Sequence, residues 1–88
     1  MAEGATNGSD EQLIAGFVRD RILRDPSARV DRDDPLITSG VIDSFSLVDL
    51  RLFLEETFHV SIPDGDLTPD VMNTVAMIAA RIDGLRRI

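Results

Sequence analysis

Apolar residues recur at helical spacing in three separated stretches of the chain. Leu13, Ile14, Phe17, Val18 and Ile22 form the first stripe, which reaches about Leu23. Ser9 and Gln12 stand before it at the spacing of a capping box, which predicts a helix start at Ser9. Asp25-Pro26 ends that helix, because the residue before a proline is pushed out of the helical region. The second stripe is Leu47, Leu50, Leu54 and Phe58, at intervals of three, four and four, and predicts a helix from Ser44 to about Phe58. Asp43 is its predicted N-cap, accepting hydrogen bonds from free amides and setting negative charge against the positive end of the helix dipole. The third stripe is Val75, Ile78, Ala79, Ile82 and Leu85, capped by Asn73 or Thr74 and closed by Arg86 and Arg87 at the negative end. Thr68-Pro69 adds a short helix through Val71 or Met72, with proline at its first position.

The segments between the stripes are of two kinds. Pro26 to Asp43 carries the loop formers Asp31, Asp33, Asp34, Pro35, Ser39 and Gly40, with Val30, Leu36, Ile37 and Val41 interspersed. A connection of that length inside a small domain must be pinned to the core, and its length points to a role in function. Val60 to Ile62 reads as an extended stretch closing in a turn at Pro63-Asp64-Gly65. Met1 to Gly8 is small, polar and aperiodic, which predicts a disordered tail before an ordered domain over residues 9–88. The expected fold is all-α: a small bundle of three main helices and one short helix, with a long ordered loop between the first and second.

Eighty-eight residues, 43 % of them hydrophobic, suffice for one domain with a thin core. The absence of cysteine excludes disulfides, thiolate metal sites and a cysteine nucleophile. No apolar run approaches the roughly 20 residues of a membrane span, and the N-terminus lacks the features of a signal peptide, so a cytoplasmic protein is expected. The net charge of −7, from sixteen acids against nine bases, argues against nucleic acid and for basic protein partners. No exposed apolar seam is evident, and a monomer is expected.

Few residues could support catalysis. Ser44 and His59, the one pair resembling nucleophile and base, stand at opposite ends of one helix, roughly 22 Å apart at 1.5 Å per residue. Asp31, Asp33 and Asp34 lack the glycine and closing glutamate of a calcium loop. The informative segment is Gly40–Leu47 (GVIDSFSL), where a serine follows an aspartate cap at the start of an acidic amphipathic helix.

Asp43-Ser44 followed by Phe45, then Leu47, Leu50, Leu54-Glu55-Glu56 and Phe58, resembles the acyl and peptidyl carrier protein family around its Asp-Ser-Leu signature. Ile62-Pro63-Asp64 and Thr74-Val75 are similar to that family at comparable offsets, so the resemblance covers roughly Ser9 to Arg87. Gly40 stands four residues before Ser44, one more than in many fatty-acid carriers, and Phe45 replaces the commoner leucine or methionine. The longer form resembles stand-alone carriers of the aminoacyl and D-alanyl type and of specialised pathways.

The resemblance implies a non-catalytic protein. A phosphopantetheinyl transferase would move 4′-phosphopantetheine from coenzyme A onto the Ser44 hydroxyl, and acyl- or aminoacyl-loading and processing enzymes would then use the arm's thiol to carry an acyl, polyketide or aminoacyl group as a thioester. It also makes Asp43, the acids Asp49, Glu55 and Glu56, and Phe45 contacts for the transferase and other partners, with Arg51 interrupting the acidic face and selecting among them. Seven acids against Arg51 alone lie between Asp43 and Asp70, so the negative charge is concentrated there. His59 is expected as a simple helix-end residue, and the helical spacing of Phe45, Phe53, Met72 and Met77 favours core over a cargo channel. A helical interaction module without a prosthetic group is the competing class, under which Ser44→Ala would leave activity intact.

Overall fold

The computed structural model describes the backbone over residues 3–86 and side chains from Ser9 onward. Four helices make up the fold, and the described residues contain no strand. Helix α1 (Glu3–Phe17) runs on into a five-residue π-helical turn, Val18–Ile22. Helix α2 is Ser44–Phe58, α3 is the single turn Pro69–Met72, and α4 is Val75–Arg86. A 3₁₀ turn, Asp64–Asp66, lies between α2 and α3.

Helix α1 starts six residues earlier than the capping-box spacing predicts. Ser9 therefore lies inside the helix, and the tail expected over Met1–Gly8 is helical from Glu3; Met1 and Ala2 lie outside the described residues. The far end of α1 also departs from a plain stop at Asp25-Pro26. At Leu23 the amide bonds back to Val18 O at 2.8 Å, one residue further than an α-helix allows, and Arg24 reverses the chain at φ 55°.

The first stripe turns its inner edge, Ile14, Phe17 and Val18, into the core, whereas Leu13 remains about half exposed. Leu50, Leu54 and Phe58 bury the expected face of α2, with Leu47 at its margin. Val75, Ile78, Ala79 and Ile82 complete the core from α4, which packs against α1 and α3. Met72 and Ile62 close it from below α2. Asp10, midway along α1, is buried against Arg86 at the end of α4 at 2.6 Å, and the same guanidinium lies over the Phe58 ring. The N-cap of α4 is Thr74, whose hydroxyl accepts from the Met77 amide at 3.1 Å.

Asn73 does something else: it holds the long loop. Its side-chain carbonyl accepts from the amides of Ile37 (2.9 Å) and Thr38 (3.0 Å), and its backbone carbonyl accepts from the Leu36 amide at 2.7 Å. Leu36 and Ile42 are buried, Ile42 N donates to Leu36 O, and Ala76 N donates to Arg32 O. A bidentate pair between Arg32 and Glu11, at 2.8 and 2.9 Å, ties the loop to α1 as well. The connection is thus ordered and pinned, and it delivers the chain to the start of α2 in a fixed position.

Candidate functional site

Gly40, at φ 87°, makes the last sharp turn before α2, in a backbone region that side chains resist. Asp43 follows in extended conformation and caps the helix, its carboxylate accepting from the Ser46 amide at 2.8 Å. Ser44 is then the first residue of α2 and is exposed. The Ser46 amide bond first, then the Ser46 hydroxyl and the Phe45 amide, hold the Asp43 carboxyl below its ordinary range. A carboxylate so committed to the helix end is a poor base for its neighbour. The chain's single histidine, His59, terminates the same helix at the other end, in left-handed conformation at φ 58°. Among the described residues, His59 therefore stands too far from Ser44 to act as its base.

The arrangement does fit a covalently attached phosphate. An exposed hydroxyl sits where the first-turn amides of a fifteen-residue helix concentrate partial positive charge, and that charge favours a phosphodiester. Nothing in the described structure covers the position.

The remaining sequence-predicted residues separate into two groups. Asp49 and Glu56 are exposed and line a shallow cleft with Phe17, Arg21, Leu52 and Phe53; Phe45, 85 % exposed, stands beside Ser44. Phe45 is thus no core residue, while Met72 is fully buried and Phe53 stacks on Phe17 at 4.4 Å between centroids. Arg51 and Glu55 face inward to the following loop. Arg51 pairs with Asp64 and with Glu55 (3.5 Å), and Glu55 accepts from the Ile62 amide at 2.8 Å. Asp66 is likewise paired with Arg81 at 2.6 Å. The unpaired acidic surface therefore narrows to Asp49, Glu56 and Asp70, together with the capping Asp43.

Two features escaped the sequence reading. Val48 and Leu52 are more than half exposed, and with Phe45 they form an outward apolar stripe at i, i+3 and i+7 on α2, where no exposed seam was expected. The signal was present in Phe45–Leu54, which holds more apolar residues than one core face can absorb. The other is Asn73, whose hold on the loop has no sequence signature.

A family model described as the phosphopantetheine attachment site matches residues 16–82, most of the chain. The chain belongs to the phosphopantetheine-binding carrier family. D-alanyl carrier proteins of Streptococcus pyogenes, from strains Manfredo and NZ131 among others, are 35 % identical over 77 residues, covering 88 % of this chain and 94 % of theirs. A chain from a solved structure described as "Crystal structure of FAD-dependent dehydrogenase" superposes with a TM-score of 0.73 at 30 % identity, covering 80 % of this chain and 99 % of its own length. This carrier is accordingly a non-catalytic protein that holds 4′-phosphopantetheine and works with a transferase and with loading enzymes. No helix among its described residues is long and apolar enough to cross a membrane.

Proposed function

We propose that the carrier takes its arm on Ser44 and presents a small aminoacyl group as a thioester to the enzymes of a biosynthetic pathway. The observation that carries the site is the exposed Ser44 hydroxyl at the capped start of α2. Attachment joins the Ser44 oxygen to the phosphorus of coenzyme A that bears the pantetheine and expels the adenosine bisphosphate. Asp43 is spent on the cap, so the base that takes the serine proton comes from the transferase. The arm supplies a thiol, the one group a cysteine-free chain lacks for carrying a carboxylic acid in activated form. Asp49, Glu56 and Phe45 stand close enough along α2 to meet the transferase and later partners. Arg51 and Glu55 act on those encounters by fixing the Ile62–Asp64 segment beside them.

The aminoacyl reading is supported by the D-alanyl carriers matched over nearly the whole chain and by the four-residue spacing from Gly40 to Ser44. A second reading, a short acyl cargo oxidised while on the carrier, is favoured by the likeness to a chain in a structure described as a FAD-dependent dehydrogenase. Incubation with coenzyme A and a broad-specificity transferase, followed by intact mass measurement, should add one arm to the wild type and none to Ser44→Ala. An unmodified wild type, or a modified Ser44→Ala, would count against the site. Loading with a panel of amino acids and short acids by adenylating enzymes separates the two cargo readings.

A further inference from the structure

Residues 36–42, the last stretch of loop before the α2 cap, close on themselves. Leu36 O accepts from the Ile42 amide at 2.9 Å and from the Ser39 hydroxyl at 3.2 Å, and Ile37 O accepts from the Gly40 amide at 3.1 Å. Ser39 Oγ in turn accepts from the Val41 amide at 3.4 Å. These bonds use the carbonyls of Leu36 and Ile37, while the amides of Leu36, Ile37 and Thr38 point out of the turn. All three amides are met by Asn73, whose Nδ2 also donates to the Thr38 hydroxyl at 3.2 Å.

The turn is therefore held at two ends and little between. Asn73 holds its start, and the buried side chain of Ile42 holds its finish. Gly40, where the backbone is most permissive, has open space where a side chain would stand, so packing does not fix the middle. Ser44 follows Ile42 by two residues, which puts its Cα at most about 7 Å from the anchored end.

We infer that Asn73 is a positioning residue for arm transfer, setting through this turn where the Ser44 hydroxyl stands when the transferase is bound. The inference rests on attachment at Ser44. Transfer needs the serine oxygen roughly 3–3.5 Å from the phosphorus, and a misplacement of about 1 Å can cost up to about 100-fold in rate. Phe45, Asp49 and Glu56, the residues proposed to meet the transferase, lie on α2 itself, and Asp43 caps that helix without help from Asn73. Loosening the turn therefore leaves docking intact and spreads the serine over more positions. The loss falls on kcat and spares KM.

Steady-state transfer from coenzyme A by a broad-specificity transferase, with the full-length carrier as the varied substrate, tests this. Rates are taken per folded protein, well below each variant's melting temperature. Asn73→Ala should lower kcat about tenfold and hold KM within about twofold. Asn73→Asp keeps an acceptor for the Ile37 and Thr38 amides and should restore kcat to within about twofold of wild type. Ile82→Val trims the α4 core away from the turn and should lose stability without losing kcat. Thr38→Val, at an exposed position, removes only the hydroxyl contact and should lower kcat in the same direction by less, which carries the test should Asn73→Ala fail to fold. Wild-type kcat in both Asn73→Ala and Thr38→Val, a defect confined to KM, an Asn73→Asp as slow as Asn73→Ala, or an equal loss in Ile82→Val each overturns the positioning role while leaving Ser44 as the attachment site. A wild type that takes no arm on Ser44, read by peptide mass, overturns the attachment reading instead.

Discussion

At the start of α2 a single carboxylate does the work that makes Ser44 available. Asp43 occupies the cap position, so the serine is free of any capping duty, and the residue is exposed. Replacing Asp43 with alanine should lower the melting temperature by a few degrees, while Asp43→Asn, an equally good cap, should hold it nearly constant at neutral pH. The two differ from the wild type in acid. The carboxyl of Asp43 is held below its ordinary value, so its contribution to stability is complete above that ordinary value and disappears as pH falls through the lowered one. Thermal melts from pH 7 down to pH 2 should therefore show an acid loss in the wild type that Asp43→Asn reduces. His59 offers an opposite case: it adopts a left-handed conformation at the C-cap of α2, where glycine carries no penalty. His59→Gly should raise stability by about 1 kcal/mol in chemical denaturation, provided the chain uses the histidine only as a helix end.

Among the elements, the helices were readable because their burial follows a single period. The spacing from Leu47 to Phe58 and from Val75 to Leu85 gave both main helices their faces and nearly their ends. The π-turn was not readable, since Val18 and Ile22 fit an α-helical stripe equally well. The order of the long loop could be anticipated from its apolar residues, but its anchor could not, because Asn73 acts on residues 35 and 36 positions away. Asn73→Ala leaves the amides of Ile37 and Thr38 without their acceptor and should cost about 2 kcal/mol. Hydrogen exchange would show the effect as faster exchange across Leu36–Thr38 with α4 still protected. Serine presentation should suffer too, as a slower transfer of the arm at equal concentration of folded protein.

Over the whole molecule, charge and apolar surface divide the labour. The sequence placed the negative charge correctly between Asp43 and Asp70, yet several of those acids are spent internally on Arg51 and Arg81. One dimension was lost in reading the chain as a string: a count of acids does not tell which of them pair across loops. On the proposed function, exposed Asp49 and Glu56 would steer a basic partner toward Ser44, and exposed Phe45, Val48 and Leu52 would hold it. Asp49→Arg should slow the transferase severalfold at low salt, and the difference from wild type should shrink as sodium chloride rises past physiological strength. Phe45→Ala should act instead on dissociation, with little dependence on salt.

The site of attachment is open to one decisive measurement. Trypsin releases the segment from Asp33 to Arg51 as a single peptide, which contains Ser39, Ser44 and Ser46. Fragmentation of that peptide from protein treated with coenzyme A and a transferase should place the phosphopantetheine mass on Ser44 alone. Finding it on Ser39 or Ser46, or finding the peptide unmodified in fully folded protein, would contradict the account.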